Sequence, residues 1–215
     1  MHNRFTLKGL CTPRALPATY QRIEYVEATG TQYCESGNYH TNDDIYFVEY
    51  MMTGRRQQYQ KLFGASSTIY SNTDAIIYEC NVYDDMLYAR SIWHPNDGIN
   101  FGTMSLNTKY FGTLSSTMAV LSTGSTIVNM SYYDGNVRDA TMQDYIFSIN
   151  GTETTAHAVQ ARIYSLMIRR NARITHEYVP CYRKADGEIG LYDVIENAFY
   201  PNIGSGIFLK GKDIK

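Results

Sequence analysis

Short stretches rich in β-branched and aromatic residues recur along this 215-residue chain, separated by Gly, Asn, Asp and Ser. No long stretch shows the apolar spacing of an amphipathic helix with capping residues at its ends. Closely spaced strands without connecting helices favour an antiparallel sandwich over a parallel α/β fold, which needs a helix between neighbouring strands. The pattern therefore predicts an all-β, antiparallel sandwich.

The individual strands can be placed from their apolar patterns. Residues 44–52 are apolar on both faces and rich in β-forming types, which predicts a central strand covered on both sides. Residues 158–170 form the longest candidate strand. Strict alternation places Val159, Ala161, Ile163, Ser165 and Met167 on one of its faces, and Arg162, Tyr164, Leu166 and Ile168 on the other. Further strands are predicted over residues 61–65, 75–82, 87–93, 126–133, 145–149 and 173–179.

Turn residues join several of these strands into hairpins. Asp-Gly and Asn-Gly are favoured in type I′ turns, because both central residues there have positive φ. The strand that follows Asn171-Ala172 is predicted to end at Pro180, because proline has no N–H to donate to a ladder. The predicted turns lie at Asp84-Asp85, Asp134-Gly135-Asn136, Asn150-Gly151, Asn171-Ala172 and Asp186-Gly187.

The charge balance is unlike that of a nucleic-acid-binding protein. The chain has 19 Lys and Arg against 21 Asp and Glu, a net charge of −2, whereas phosphate contacts require a basic excess. No stretch approaches the ~20 consecutive apolar residues of a membrane span. We therefore expect neither nucleic-acid binding nor membrane insertion.

The N-terminal residues differ from the rest of the chain. Residues 1–15 are short and mixed in character, and we interpret them as an N-terminal arm that is either flexible or a docking segment, with residues 16–215 forming one β-sandwich domain. The arm has no continuous apolar stretch, so no signal peptide is predicted and synthesis in a cytoplasm is expected. The four cysteines, Cys11, Cys34, Cys80 and Cys181, are far apart, which favours buried free thiols over a zinc site or a disulfide framework.

Two segments carry a family resemblance. Residues 16–33 read LPATYQRIEYVEATGTQY, and the second segment runs from EYVPC at 177–181 through GLYD at 190–193 and AFY at 198–200 to GSG at 204–206. In order and spacing they resemble the opening and closing motifs of concanavalin A-like (LamG-type) domains found in phage and prophage virion proteins of gut bacteria. The middle of the chain matches only loosely, at residues 61–65 and 161–165.

The resemblance implies a jelly-roll sandwich in which a last strand lies beside the first. It also implies a virion structural protein, such as a head or tail fibre, a decoration protein or a baseplate component, made in the host bacterial cytoplasm. Such a protein would form a homo-oligomer, with a trimer among the alternatives, and would contact other virion proteins. A carbohydrate-binding adhesin for host or mucus attachment is the alternative function, and a glycan hydrolase is a second.

A catalytic set is missing from the sequence. Jelly-roll hydrolases use a Glu-x-Asp-x-x-Glu strand that puts paired carboxylates on one face, and this chain has no such motif. The Gly-x-Ser-x-Gly nucleophile elbow is also absent, and Gly204-Ser205-Gly206 is predicted to be a turn. The five histidines are scattered, which is typical of surface residues or hydrogen-bonded core residues. We therefore expect a protein that is not an enzyme and that needs no cofactor.

The best candidate for ligand binding lies around the only tryptophan. A ring at the end of a strand stacks on the apolar face of a sugar, while neighbouring amide and carboxylate groups bind its hydroxyls. A core role for the ring is the alternative. The candidate glycan-binding residues are Tyr88, Trp93, His94, Asn96 and Asp97.

Two further features leave alternatives open. The 20 tyrosines are consistent with β-sheet packing or with a recognition surface. Asp43-Asp44, Asp84-Asp85 and Asn96-Asp97 carry oxygen ligands suited to calcium, but each is equally an ordinary turn, and no metal site is predicted.

Overall fold

The computed structural model consists of two β-sheets packed face to face. It describes residues 15–55, 60–66, 76–83, 86–93, 99–124, 126–132, 140–151 and 157–215. Within these ranges there is no α-helix, and every strand ladder is antiparallel. Strands distant in sequence are neighbours, as in a jelly roll: β4 lies between β9 and β13 (bounds below). The predicted all-β antiparallel jelly-roll sandwich is therefore confirmed.

The larger sheet has eleven strands in the described ranges. Its main path runs β11-β10-β9-β4-β13-β14-β15-β16, with β1 beside β14, β2 beside β13 and β17 beside β2. The bounds are β1 (Tyr20–Arg22), β2 (Val26–Thr29), β4 (Asp44–Met52), β9 (Lys109–Ser115), β10 (Met118–Thr123), β11 (Thr126–Tyr132), β13 (Gln160–Arg170), β14 (Arg173–Arg183), β15 (Ile189–Asp193), β16 (Ala198–Pro201) and β17 (Leu209–Lys210).

The smaller sheet has six strands in the described ranges, in the order β3-β12-β5-β6-β7-β8. The bounds are β3 (Cys34–Glu35), β5 (Gln60–Ala65), β6 (Ile76–Tyr83), β7 (Met86–Trp93), β8 (Ile99–Met104) and β12 (Tyr145–Ile146). β6 and β7 pair from Tyr83 opposite Met86, which confirms the hairpin predicted around residues 84–85.

Aromatic side chains from both sheets fill the space between them. Tyr46 of β4 stacks on Phe63 of β5 with ring centroids 4.8 Å apart, and Tyr50 meets Tyr78 edge-on at 5.5 Å. These rings are almost fully buried. A buried aromatic side chain contributes roughly 1.5–3 kcal/mol of stability, so these contacts account for much of the cohesion between the sheets. Part of the tyrosine excess thus serves sheet packing.

The two ends of the domain close on each other, as the resemblance implied. Leu209 and Lys210 of β17 pair with Glu27 and Val26 of β2, and Ile23 forms a bridge with Asp213. The closing strand therefore covers an edge next to the opening strand.

The turns predicted at Asn171-Ala172 and Asp186-Gly187 are confirmed. The type I′ turn predicted at Asn150-Gly151 was wrong, because neither residue has positive φ and Asn150 forms a parallel bridge with Ala65. Asn171 and Ala172 both have positive φ, 48° and 66°, and join β13 to β14. Gly187, with φ 75°, donates its N–H to the Arg183 carbonyl between β14 and β15. The Asp134-Gly135-Asn136 turn lies outside the described residues, and β11 before it pairs with β10.

For two strands, the prediction of which side chains face the core was wrong. In β4 the burial alternates: Tyr46, Val48 and Tyr50 face the core, while the other face is half-exposed rather than covered. In β13 the alternation breaks at a bulge between Ile163 and Ser165. The extra residue reverses the faces, so that Leu166 and Ile168 join Ala161 and Ile163 in the core, and Met167 points outward.

Two strand ends were also wrong. β14 continues through Pro180 to Arg183, because the ladder partner on one side of β14 changes there from β13 to β1. The Pro180 carbonyl still accepts a hydrogen bond from Ile23 N–H at 3.0 Å. β12 ends at Ile146 instead of residue 149, because Phe147 has a positive φ of 68° that extended backbone excludes.

No helix in the described ranges is long and apolar enough to cross a membrane.

Candidate functional site

The predicted glycan site is described only in part. Tyr88 and Trp93 both belong to β7, which places their backbones in the smaller sheet. The other three candidates, His94, Asn96 and Asp97, lie outside the described residues. The glycan site therefore stays a prediction.

The calcium alternative can be examined at one of its three positions. Asp44 is bound by the guanidinium of Arg170, with Nε 2.7 Å from Oδ1, and exposed Asp43 accepts a hydrogen bond from Asn171 at 3.0 Å. Residues 84–85 and 96–97 lie outside the described ranges. No cluster of three or more His, Cys, Asp or Glu side chains suited to a metal ion occurs in the described part of the chain.

A buried polar cluster, which the sequence did not reveal, surrounds Asp144. His40 Nδ1 lies 2.6 Å from Asp144 Oδ1, and Tyr46 donates a short hydrogen bond to Oδ2. Asn38 Nδ2 donates to Asp144 Oδ2 at 3.2 Å and to Tyr46 Oη at 2.8 Å. Burial, and then the Asp144 charge, raise the pKa of Tyr46 well above its usual range, which keeps the phenol a donor.

The same cluster continues to Asp44. Besides Nε, Arg170 NH2 donates to Asp44 Oδ2 at 2.9 Å, and it also bonds Asn38 Oδ1 at 3.1 Å. Thr41 N–H caps the same carboxylate at 3.1 Å. Asp44 is fully buried, so these donors replace the water that the charge has lost. The cluster therefore fixes residues 38–44 against β13 and the segment around Asp144.

A second histidine–aspartate pair lies on β14 and β15. His176 Nδ1 is 2.7 Å from Asp193 Oδ2, and Asp193 Oδ1 accepts backbone N–H bonds from Glu177 at 3.1 Å and Ile195 at 2.9 Å. An oriented histidine is one part of a nucleophile-activating triad. No Ser, Thr or Cys side chain of the described residues bonds to His176, so the pair acts as a brace for the turn after β15.

The face of the larger sheet that points away from the core carries both apolar and polar side chains. This face, which we call the outward face, carries half-buried Ile45 and Phe47 on β4, Phe111 on β9, Val120 on β10 and Met167 on β13. Phe47 stands directly opposite Met167 in the ladder between β4 and β13. Glu49 stands opposite Phe111, and Thr113 stands between Phe47 and Val120, so the apolar residues share this face with polar ones. An antiparallel sheet with one face on a core usually presents polar residues on the other, so the apolar residues here make the outward face a candidate contact surface.

Two aromatic rings at one end of the outward face are covered by cations. Arg162 lies over the Tyr25 ring at 4.4 Å and bonds Glu27 at 2.7 Å. Tyr164, which meets Tyr25 edge-on, is covered in the same way at 3.6 Å by the ammonium group of a lysine on β9. A cation therefore occupies one face of each ring, and that face offers no platform for a sugar.

Comparison with solved structures finds several likenesses, one of which covers nearly the whole chain. A native heptameric SAP-like pentraxin from Limulus polyphemus superposes with a TM-score of 0.49 and 8% identity, over 92% of this chain and 97% of the pentraxin chain. At this identity the likeness concerns the fold and says nothing about ligands. No family model matches the sequence, and no curated protein does.

Proposed function

We propose that this chain is a structural protein of a bacteriophage particle, without catalytic activity. Its lectin-like β-sandwich would assemble as a homo-oligomer and contact other virion proteins, after synthesis in the host bacterial cytoplasm. The resemblance of residues 16–33 and 177–206 to phage virion domains supports the phage assignment.

The outward face is the observation that supports an assembly role. Phe47 and Met167 pair across two central strands, and Phe111 lies diagonally across from Phe47 on the next strand, with Thr113 and Glu49 beside them on the same face. These side chains are already half-buried, so covering the part that stays exposed contributes a fraction of the roughly 1.5–3 kcal/mol that full burial provides. Several such contributions together favour a protein that works as part of an assembly.

Mass spectrometry of purified phage particles from the source tests the proposal directly. We expect the chain to be present in many copies per particle. Its absence from particles that are otherwise complete would overturn the virion assignment and leave a cell-associated binding protein as the better interpretation.

A substitution on the outward face tests the assembly role separately. We expect Phe47→Ser to weaken self-association or incorporation into particles at least tenfold, because it removes the apolar centre of the surface. Tyr39→Ser is the matched control, since Tyr39 is 53% exposed in the loop before β4 and is not one of the residues that define the outward face. Equal behaviour of the two variants in native mass spectrometry would contradict the assignment of the outward face.

A further inference from the structure

Half-exposed aromatic rings in this molecule follow a recurring pattern. In the described residues, four rings each have a cation over one face, and each cation is also paired with a carboxylate. The four sets are Tyr25 with Arg162 and Glu27, Tyr164 with Lys109 and Glu49, Phe199 with Arg183 and Asp186, and Tyr182 with Lys210 and Asp213. Each set places a cation between a ring and an acid, where both attract it.

A fifth set lacks its cation. Tyr33 and Tyr145 stack with ring centroids 5.3 Å apart and an interplanar angle of 22°. Glu35 is directly opposite Tyr145 in the ladder between β3 and β12. The half-buried Glu35 carboxylate makes no ion pair or hydrogen bond with any described residue. We call these three residues the Tyr33–Glu35–Tyr145 corner.

The electrostatics of the corner differ from those of the complete sets. Burial and then the Glu35 charge raise the pKa of Tyr145, and no cation opposes that rise. At Tyr164 burial also raises the pKa, but Lys109 and Arg162 oppose it. Tyr200, on the neighbouring β16, has its pKa raised to about 12 by burial and by nearby carboxylates that include Glu35. The corner is therefore a negative, aromatic surface without a counter-charge.

Arginines without a carboxylate partner among the described residues lie at the tip of the hairpin between β13 and β14. Arg173 is exposed and makes no contact with a carboxylate among the described residues, and Arg169 bonds only the Ala172 carbonyl, at 3.4 Å. Arg169 stands opposite Ile45 in the ladder, so this cationic tip lies at the end of the outward face. One molecule thus carries an acidic aromatic corner and a basic tip that do not pair with each other.

We propose that the Tyr33–Glu35–Tyr145 corner receives the Arg173 guanidinium of a second copy of this chain. The guanidinium would lie against the exposed face of Tyr145 and pair with Glu35, which completes the fifth ring–cation–carboxylate set between subunits. Because the two surfaces differ, the contact is head-to-tail, and it closes into a ring when the rotation between subunits permits. The inference rests on the homo-oligomer in the proposed function and assigns its contact residues.

A charge-swap experiment tests the contact. Sedimentation equilibrium is measured for the wild-type chain, Glu35→Arg, Arg173→Glu and the double variant that carries both changes. Each single change puts like charges together, so we expect self-association to weaken about tenfold or more, and the double variant to recover most of it. Arg22→Glu is the matched control, because Arg22 is an exposed arginine on β1 and the change alters net charge equally.

Recovery in the double variant distinguishes a direct contact from a general effect of charge or folding. Additive weakening without recovery, or an effect of Arg22→Glu as large as that of Arg173→Glu, would overturn the pairing. A wild-type chain that stays monomeric at high concentration would overturn it too. The virion assignment is tested apart from this, because mass spectrometry of particles detects the chain whether or not Glu35 and Arg173 meet.

Discussion

Asp44 and Glu35 are carboxylates close together in the chain, but their surroundings are opposite. Asp44 is fully buried and accepts hydrogen bonds from Arg170, Asn38 and Thr41. Glu35 is half-buried beside the stacked rings of Tyr33 and Tyr145 and has no such donor among the described residues. The buried charge is neutralised within the molecule, since a buried unpaired charge costs several kcal/mol. The half-exposed charge remains in partial contact with water, and it is free to meet a cation from outside.

This difference between the two carboxylates assigns one site to stability and the other to interaction. The cluster around Asp44 and Asp144 ties a loop to two strands, and its loss should destabilise the fold. The Tyr33–Glu35–Tyr145 corner contributes little to the fold, and its loss should change only what the molecule binds. Substitutions at the two sites therefore distinguish the two roles.

The largest effect is expected at the buried cluster. Asp44→Ala should lower the free energy of unfolding by about 2–4 kcal/mol, because it leaves the Arg170 and Asn38 donors without their acceptor. Asp43→Ala, at the exposed neighbouring position, should change it by less than about 0.5 kcal/mol. Urea unfolding of both variants measures the difference. Similar losses for the two would mean that Asp44 is not held as described.

Local signals predicted much of the fold, because strands and turns are encoded by neighbouring residues. The β-forming residue types of residues 44–52 and the turn at Asn171-Ala172 are examples. The bulge at Ile163/Ser165 cannot be recognised from the alternating pattern, because no particular amino-acid type marks the extra residue. Strand β4 does carry a signal for the outward face, because its residues are apolar on both faces; the sequence predicts the second face to be covered, whereas the structure leaves it half-buried.

The sites were much less predictable than the strands. Asn38 and Asp144 are separated by 106 residues, and no motif relates them, so only the fold brings their side chains together. Glu35 and Tyr145 meet for the same reason, through the pairing of two short strands. The predicted glycan residues around Trp93 came from residue types alone, and they remain a prediction.

A smaller effect on stability is expected at Cys34, which precedes Glu35 in β3 and points toward the core. Burial, and then the Glu35 charge, raise the pKa of Cys34 well above its usual range. The folded thiol keeps its proton while the unfolded one loses it above a pH of about 8.5, so the stability contributed by Cys34 falls as pH rises. Wild-type stability should therefore decline by about 1.4 kcal/mol per pH unit more steeply than that of Cys34→Ala.

Unfolding of the two proteins in urea between pH 8 and 11 measures this difference in slope. Val26→Ala is the control, because it removes buried apolar volume without removing a titrating group and should shift the whole curve by a constant amount. If stability fell equally with pH in wild type and Cys34→Ala, the thiol would not be shielded from water. The inward side of β3 would then be as accessible to solvent as its outward side.

The smallest change in the free energy of unfolding is expected for a substitution of Glu35. The sign of this change tests whether Glu35 has a partner within its own chain. Glu35→Gln should change the free energy of unfolding of the monomer by less than about 0.5 kcal/mol, and toward greater stability, because it removes a half-buried charge that has no intramolecular partner. Glu27→Gln is the matched control: Glu27 pairs with Arg162 at 2.7 Å, so its loss should cost up to about 1 kcal/mol. Both are measured by urea unfolding at concentrations where the chain is monomeric. A clear loss of stability in Glu35→Gln would mean that Glu35 already has a partner within its own chain, and a second copy would then have no unpaired charge to neutralise.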